Sequence, residues 1–364
     1  MNEDESNEHG SLETWALKIV HRVSQNIVAD NFETGGRYES MKKIERTAII
    51  RAGIAGMISG LLCSIATLVA APLLVENPAS WTENILYFSI IGVTSGIVTI
   101  LEIAFLYWDA IKNSAKMISI AQKDRKKPYG MDHVNISIVR SALEIPNSKD
   151  QLFGIDPLRE KSNTLLFIQT IAYKAKIAVS NFVIKALIRR LMGRAASRAY
   201  IEFISIPVFG LWNAMITKWI MFEARLRAIG PFCIEEFYAK LYPEGLEKMS
   251  LERAQFEFIV MSEKVVQSGS FHPNVFIFLN RFITEVPYTV EELSSVSIPE
   301  AIERLDISLR KDAMRCYFAL VALEGGITKS DKKNLSRLEA LGMDIPYKLQ
   351  TPYLNFVLNG EELL

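Results

Sequence analysis

Two long apolar runs, Ala52 to Val75 and Ile85 to Trp108, joined by the short polar segment Glu76 to Asn84, constrain this chain more than anything else in it. The first has 24 residues and no charge. As a helix it extends about 36 Å at about 1.5 Å per residue, enough to cross a hydrocarbon core of about 30 Å. The second is equally long and carries one charge, Glu102. A hairpin in a soluble core is the competing reading, but core helices of that length keep a polar face and these runs have none. The pattern predicts an all-α membrane protein with a two-helix transmembrane hairpin and cytoplasmic helical domains.

The flanks set a direction. Lys42, Lys43, Arg46 and Arg51 precede the first run, and Lys112, Lys116, Lys123, Arg125, Lys126 and Lys127 follow the second, whereas the loop holds only Glu76 and Glu83. The positive-inside rule then keeps both termini of this multi-pass chain in the cytoplasm. Trp81 and Tyr87 at the outer boundary, with Tyr107 and Trp108 at the inner one, match the aromatic belts of membrane interfaces. Each run also holds two glycines four apart, Gly56 with Gly60 and Gly92 with Gly96, a spacing that lets backbones approach closely and could join chains in a homo-oligomer. Counted from the loop, Arg51 and Glu102 differ in depth by about seven residues, roughly 10 Å, which two long side chains and modest tilt can bridge. An intramembrane pair of Arg51 with Glu102 is therefore one expectation; separate snorkelling to the inner headgroups is the other.

Composition places most of the chain outside the bilayer: of 364 residues 49% are hydrophobic and 23% charged. The linear order predicts an acidic tail and amphipathic helix over 1–46, the hairpin over 47–110, a Pro- and Gly-broken connector over 111–162 with a short helix near Val134 to Leu143, a basic membrane-proximal region over 163–231, and a helical domain over 232–364. The first helix is expected from Ser11, with Leu12, Trp15, Ile19, Val20, Val23 and Ile27 at helical spacing. Cys63, Cys233 and Cys316 are far apart and show no CxxC spacing, which fits a reducing compartment and argues against a disulfide frame or zinc site.

The zero net charge hides a basic middle between two acidic ends. From Lys161 to Ile201 there are eight basic residues, including Lys185, Arg189, Arg190 and Arg194, and no acid. Interleaved with Leu165, Phe167, Ile171, Phe182 and Ile188, they suit an anionic lipid surface, where each base contributes about 1 kcal/mol and apolar groups sink into the interface. Nucleic acid is the weaker expectation, because the segment follows a membrane hairpin and has neither a Cys/His zinc pattern nor an RNP-like aromatic motif. A cationic helix of a soluble domain is the remaining reading.

The stretch Arg189 to Gly230, with a basic small-residue segment, then Ile206-Pro207-Val208-Phe209-Gly210, then Trp212-Asn213-Ala214, resembles the core signature of the EcsC-like family. The resemblance implies a membrane-associated accessory protein of bacteria without an established enzymatic chemistry. On the residues themselves, Phe203 to Thr217 is uncharged, and Pro207 and Gly210 predict a helix break. The expectation is a buried or re-entrant hairpin in preference to a third transmembrane helix, with Asn213 available to backbone groups freed by the break. Near the other end, Asp312 to Met343 is similar to the TerB-like helical domain associated with tellurite resistance: an apolar helix ends in Glu324-Gly325-Gly326, and Thr328 with Asp331 makes the capping pattern of the next helix. The resemblance implies an aspartate at this turn and a surface of acids linked to metal; here Glu324 replaces the aspartate, Lys329, Lys332 and Lys333 surround it, and a structural cap is expected instead of a cation site.

Catalytic patterns are absent from the sequence: there is no GxxxxGK[ST], HExxH, GxSxG or GxGxxG. His9, His21, His133 and His272 have no nucleophile and carboxylate at meaningful spacing and read as solvated. No catalytic, cofactor or metal residue is assigned. The expected function is a bacterial inner-membrane adaptor that presents a helical interaction module to an unknown protein partner, in envelope stress or defence. The alternatives are an oligomeric pore or transport component and a lipid-acting membrane enzyme.

Overall fold

The structure, a computed structural model, describes residues 17–20, 22, 36–74, 81–123, 125–143, 145–159 and 198–363. The basic positions Lys185, Arg189, Arg190 and Arg194 lie outside them, as does most of the expected first helix, of which residues 17–20 and 22 are helical. The described helices are α1 (Arg37–Ala70), α2 (Ile85–Gln122), α3 (Met131–Ala142), α4 (Arg198–Leu241), α5 (Leu251–Ser268), α6 (Pro273–Glu285), α7 (Val290–Leu293), α8 (Ile298–Arg304), α9 (Ile307–Leu323), α10 (Lys329–Ala340) and α11 (Gln350–Asn359). Among the described residues the only β-type pairings are two isolated bridges, Ser148 with Phe271 and Leu152 with Ile155. The architecture is all-α, and two helices, Arg37–Leu73 and Ile85–Gln122, are long and apolar enough to cross a membrane.

Both helices outrun their apolar stretches, because helical hydrogen bonding continues wherever an amphipathic face still finds a partner. Past Trp108, α2 buries Ala110, Ile111, Ala115, Met117, Ile118 and Ala121 on one side. Two hydroxyls on α1 are satisfied within the helix, Ser64 Oγ donating to the Gly60 carbonyl at 2.9 Å and Thr67 Oγ1 to the Cys63 carbonyl at 3.0 Å. Side chains bonded in this way present no free polar group to an apolar surround.

By its contacts the chain forms two compact units. One comprises Lys42–Asn113 and Ser162–Phe222; the other comprises Met1–Met41, Ser114–Lys161 and Glu223–Leu364. The linear division into five regions is thus redrawn: the connector joins the C-terminal helices, and the region 163–231 is divided after Phe222.

In the hairpin unit the expected break at Pro207 and Gly210 does not occur, and α4 runs through both as one helix of 44 residues. Gly210 serves close packing instead of a turn. A methyl group added there would lie 2.6 Å from Met57 Cγ and 3.0 Å from the Gly53 carbonyl oxygen. Gly56 and Gly60 face α4 in the same way, a methyl at Gly56 meeting the Phe209 carbonyl oxygen at 2.5 Å and one at Gly60 meeting Ile206 Cα at 3.0 Å. The small-residue face of α1 is therefore covered within the chain, while Gly92 and Gly96 on α2 have nothing within 4 Å among the described residues.

The second unit is a bundle around α5, which packs against α7, α8, α9 and α10, while α9 also meets α6 and α11. Phe237, Phe256, Phe278, Phe282, Tyr317 and Phe318 are fully buried between these helices. Each such aromatic contributes about 1.5–3 kcal/mol relative to exposure. Local signals set the ends: Ser250 accepts from the Arg253 amide at the start of α5, Gly269 closes it at φ 69°, and capping boxes at Thr289/Glu292, Ser297/Glu300 and Thr328/Asp331 start α7, α8 and α10. Asn274 ties α4 to α9, its Nδ2 donating to the Leu226 and Leu323 carbonyls at 3.0 Å each. Gly230 makes room for it, since a methyl there would sit 2.2 Å from Asn274 Oδ1.

Candidate functional site

Glu102 is the acid that composition alone marks as exceptional, and in the hairpin unit it is buried at 7% exposure between three helices. Ser59 Oγ on α1 donates to its Oε2 at 2.5 Å, and Asn213 Nδ2 on α4 donates to its Oε1 at 2.5 Å. Ser59 is itself only 3% exposed and Asn213 4%. Three polar side chains from three helices thus meet inside an apolar layer, where unsatisfied polar atoms cost several kcal/mol each. Asn213 does not bond a broken backbone, as expected from Pro207 and Gly210, because there is no break; its amide serves the carboxylate.

Arg51 does not take Glu102 as its bonded partner. Its Nη2 lies 3.0 Å from Asp109 Oδ1 and donates to Asn113 Oδ1 at 3.0 Å. Asp109 follows Glu102 by seven residues, two helical turns, which is the depth difference that separated Arg51 from Glu102. An acid already stands at the matching level, so no side chain has to bridge 10 Å. Asn113 Nδ2 in turn donates to the Asp109 carbonyl at 2.7 Å, fixing the cluster on one face of α2. Between α1 and α2 lies an apolar cavity of ≈ 380 Å³, lined by Arg51, Ile58, Ser59, Leu62, Leu101 and Glu102 among others. A double-mutant cycle measured by unfolding in detergent is expected to give a coupling of about 0.5–3 kcal/mol for Arg51 with Asp109 and for Glu102 with Asn213, but near additivity for Arg51 with Glu102. Strong coupling in the last pair would contradict the arrangement.

The second unit holds a different buried charge cluster, at the turn where the TerB-like resemblance places its acids. Lys264 on α5 is fully buried; its Nζ contacts Glu324 Oε2 and lies 3.0 Å from Asp331 Oδ1 and 2.9 Å from Ser268 Oγ. Asp331 Oδ2 also accepts from the Thr328 amide at 2.8 Å and from Thr328 Oγ1 at 2.7 Å, so the expected cap of α10 is formed. Tyr317 OH donates to Asp331 Oδ1 at 3.2 Å. An ammonium group sits where two carboxylates converge. Burial alone lowers the Lys264 pKa, but Glu324 and then Asp331 outweigh it, and the net direction is upward. Among the described residues no group of three or more His, Cys, Asp or Glu is arranged to hold a metal ion.

His272 is not solvated. Its Nδ1 accepts from the Asn274 amide at 3.2 Å and caps α6, which assigns the proton to Nε2, 2.9 Å from Glu223 Oε1. Arg227 Nε donates to the same Glu223 oxygen at 2.8 Å. Burial raises the Glu223 pKa, yet His272 and Arg227 together bring it down to about 2. Cys233 and Cys316 are buried thiols; burial pushes Cys233 up to about 12 and Cys316 well above the ordinary value, so neither is poised as a nucleophile. Lys264, Glu223, Ser59 and Asp109 were not singled out by sequence. His272 carried a signal, because Pro273 behind it marks the first position of a helix and makes the preceding residue its cap.

Comparison with family models, curated proteins and solved structures finds no match to this chain. The EcsC-like and TerB-like resemblances accordingly rest on the residues quoted for them.

Proposed function

We propose that this chain is a membrane-anchored adaptor: the hairpin holds a helical interaction module at the cytoplasmic face of a bacterial inner membrane, where it meets a protein partner. The observation that supports anchoring is the exposure of apolar side chains along α1 and α2, such as Val69 at 72% and Ile100 at 68%, on helices long enough to span. A soluble protein rarely exposes contiguous apolar area beyond a few hundred Å². What supports an interaction module is a compact helical unit whose segment 232–364 has 20 acids against 14 bases. On this reading the adaptor works in envelope stress or defence. Cysteine labelling in intact cells is the test: Thr82→Cys is expected to react from outside, and Glu247→Cys only after permeabilisation. The opposite pattern removes the orientation, and protection at both sites until permeabilisation removes the anchor.

A second reading has its own observation. Ionisable groups inside a membrane layer mark ion or proton pathways more often than not, and Glu102 with Ser59 and Asn213 is such a group. An oligomeric pore or transport component is then the competing proposal. Ion flux through liposomes carrying the purified protein, lost in Glu102→Gln, favours it over the adaptor; tight liposomes favour the adaptor.

A further inference from the structure

We propose that the slot between α1 and α2 in the hairpin unit holds one acyl chain of an anionic phospholipid from the cytoplasmic leaflet, with the lipid phosphate on Arg51. The proposal rests on the membrane reading of the two helices and gives their surface a specific ligand.

Both walls give the slot the same length. On α1 its lining runs from Arg51 through Ile54 and Ile58 to Leu62, and on α2 from Phe105 through Leu101 to Val98. Leu62 stands eleven residues from Arg51, and Val98 eleven from Asp109, the acid that meets Arg51, so each wall extends about 16 Å. One leaflet contributes about 15 Å to a hydrocarbon core of about 30 Å. The slot therefore opens at the charged edge of the apolar runs and stops near the middle of the layer, which is the reach of a lipid tail.

Its width excludes a helix. A volume of ≈ 380 Å³ over a length of about 16 Å leaves an average section of about 24 Å². A slot about 5 Å across takes an alkyl chain, whose carbons touch their neighbours at about 3.5–4 Å, and not a helix about 10–12 Å in diameter. Where Ser59 and Glu102 reach the wall, Ser59 Oγ donates to Glu102 Oε2 and Asn213 Nδ2 donates to Oε1. These oxygens are engaged, and the surface left for a tail is apolar.

The mouth is positive. Arg51 keeps 42% of its side-chain surface, whereas Asp109 keeps 7%. The Arg51 Nη2 serves Asp109 and Asn113, and its Nε is buried with no acceptor among the described residues. A guanidinium carries its donors in a planar fork that suits a pair of phosphate oxygens. On the other wall Phe105 meets Trp108, ring centroids 6.5 Å apart, and Lys112 Nζ stands 4.7 Å over the Trp108 ring. Two bases against one buried acid at the mouth select a headgroup with net negative charge over a zwitterionic one.

The test is intact-complex mass spectrometry of the full chain, purified in detergent and titrated with equal amounts of phosphatidylglycerol and phosphatidylcholine. One phosphatidylglycerol per chain is expected, retained about tenfold over phosphatidylcholine, a ratio that one charged hydrogen bond supplies. Ile58→Trp and Leu101→Trp, one on each wall, fill the slot and should lower retention of both lipids several-fold. Val93→Trp, on the exposed surface of α2 outside the slot, should leave retention unchanged. Arg51→Gln combined with Asp109→Asn removes the pair without stranding a charge and is expected to bring the two lipids to equal retention. Retention that neither slot-filling variant lowers overturns the proposal. So does displacement of phosphatidylglycerol by millimolar inorganic phosphate, which would mean a headgroup site with no tail in the slot. A lipid-free dimer that dissociates in Ile58→Trp would give the slot to a second copy of this chain and overturn it as well. A chain that stays monodisperse in solution without detergent overturns the membrane reading itself, and the proposal with it.

Discussion

Lys264→Met is expected to destabilise the helical unit by about 3–5 kcal/mol, because it leaves two converging carboxylates without their cation. Glu324 keeps 11% of its side-chain surface and Asp331 none, so neither can recover hydration in place. Against a total stability of about 5–15 kcal/mol that is a large fraction, and at about 2–4 °C per kcal/mol it lowers the melting temperature by roughly 6–20 °C. Adding Glu324→Gln to the variant removes one of the stranded charges and is expected to restore part of the loss; Asp331 is left intact because it also caps α10. The pH dependence has a definite sign. A lysine whose pKa is higher in the fold than in the unfolded chain stabilises fully below about pH 10.4 and loses that contribution only as pH rises through its folded value. The gap between wild type and Lys264→Met should thus persist across neutral and mildly alkaline pH and close above it. Thermal melts of the full chain in detergent, followed by circular dichroism, measure both. A change within about 0.5 kcal/mol, the size of an ordinary surface substitution, would show that this ion cluster does not hold the unit together.

How far each feature could be read from sequence follows the reach of the interaction that makes it. The cap of α10 needs Thr328 and Asp331, three residues apart, and both the pattern and its meaning are local. The two long apolar helices are legible for a related reason, since lack of charge over a whole run leaves few environments open. Their ends are less so: α2 continues to Gln122 because Ile111, Met117 and Ile118 find partners that periodicity within the run does not announce. The contacts that build the two polar clusters join residues 43, 111 and 60 positions apart, Ser59 with Glu102, Asn213 with Glu102, and Lys264 with Glu324. Nothing in the neighbourhood of either partner encodes such a pairing. Arg51 shows the same limit in miniature. Depth counting found the right separation, and the acid at that separation is Asp109, which lies just past the apolar run.

Gly210 was misread for a different reason. Glycine next to proline is a local breaker signal, but glycine also removes the side chain that keeps two helices apart, and inside a helical bundle the second property decides. The same distinction separates the two glycine pairs of the hairpin, which are indistinguishable by spacing.

That distinction yields the sharpest contrast available in the hairpin unit. Gly56→Ala forces a methyl group to within 2.5 Å of the Phe209 carbonyl oxygen and 2.8 Å of its carbon, both backbone atoms that no rotamer change can move aside. It also intrudes on Asn213 Nδ2 at 2.7 Å, the group that donates to Glu102. Either α4 shifts away from α1 or the bond to the buried carboxylate is lost. Overpacking of this kind costs about 1–3 kcal/mol, and an unsatisfied buried polar group adds about 1–3 more, so a loss of about 2–6 kcal/mol is expected. Gly92→Ala and Gly96→Ala meet nothing within 4 Å among the described residues and should be neutral or slightly stabilising, since alanine is the better helix former. Disulfide trapping reports the geometry directly: cysteines at Gly53 and Ala214, whose facing backbones approach closely, should cross-link in the wild-type background and much less with Gly56→Ala. Equal loss of stability at Gly56 and Gly92 would mean that α1 packs through some other face. A drop confined to Gly92 and Gly96 would mean that the open glycine pair on α2, and not the covered pair on α1, is where this chain meets another helix in the membrane.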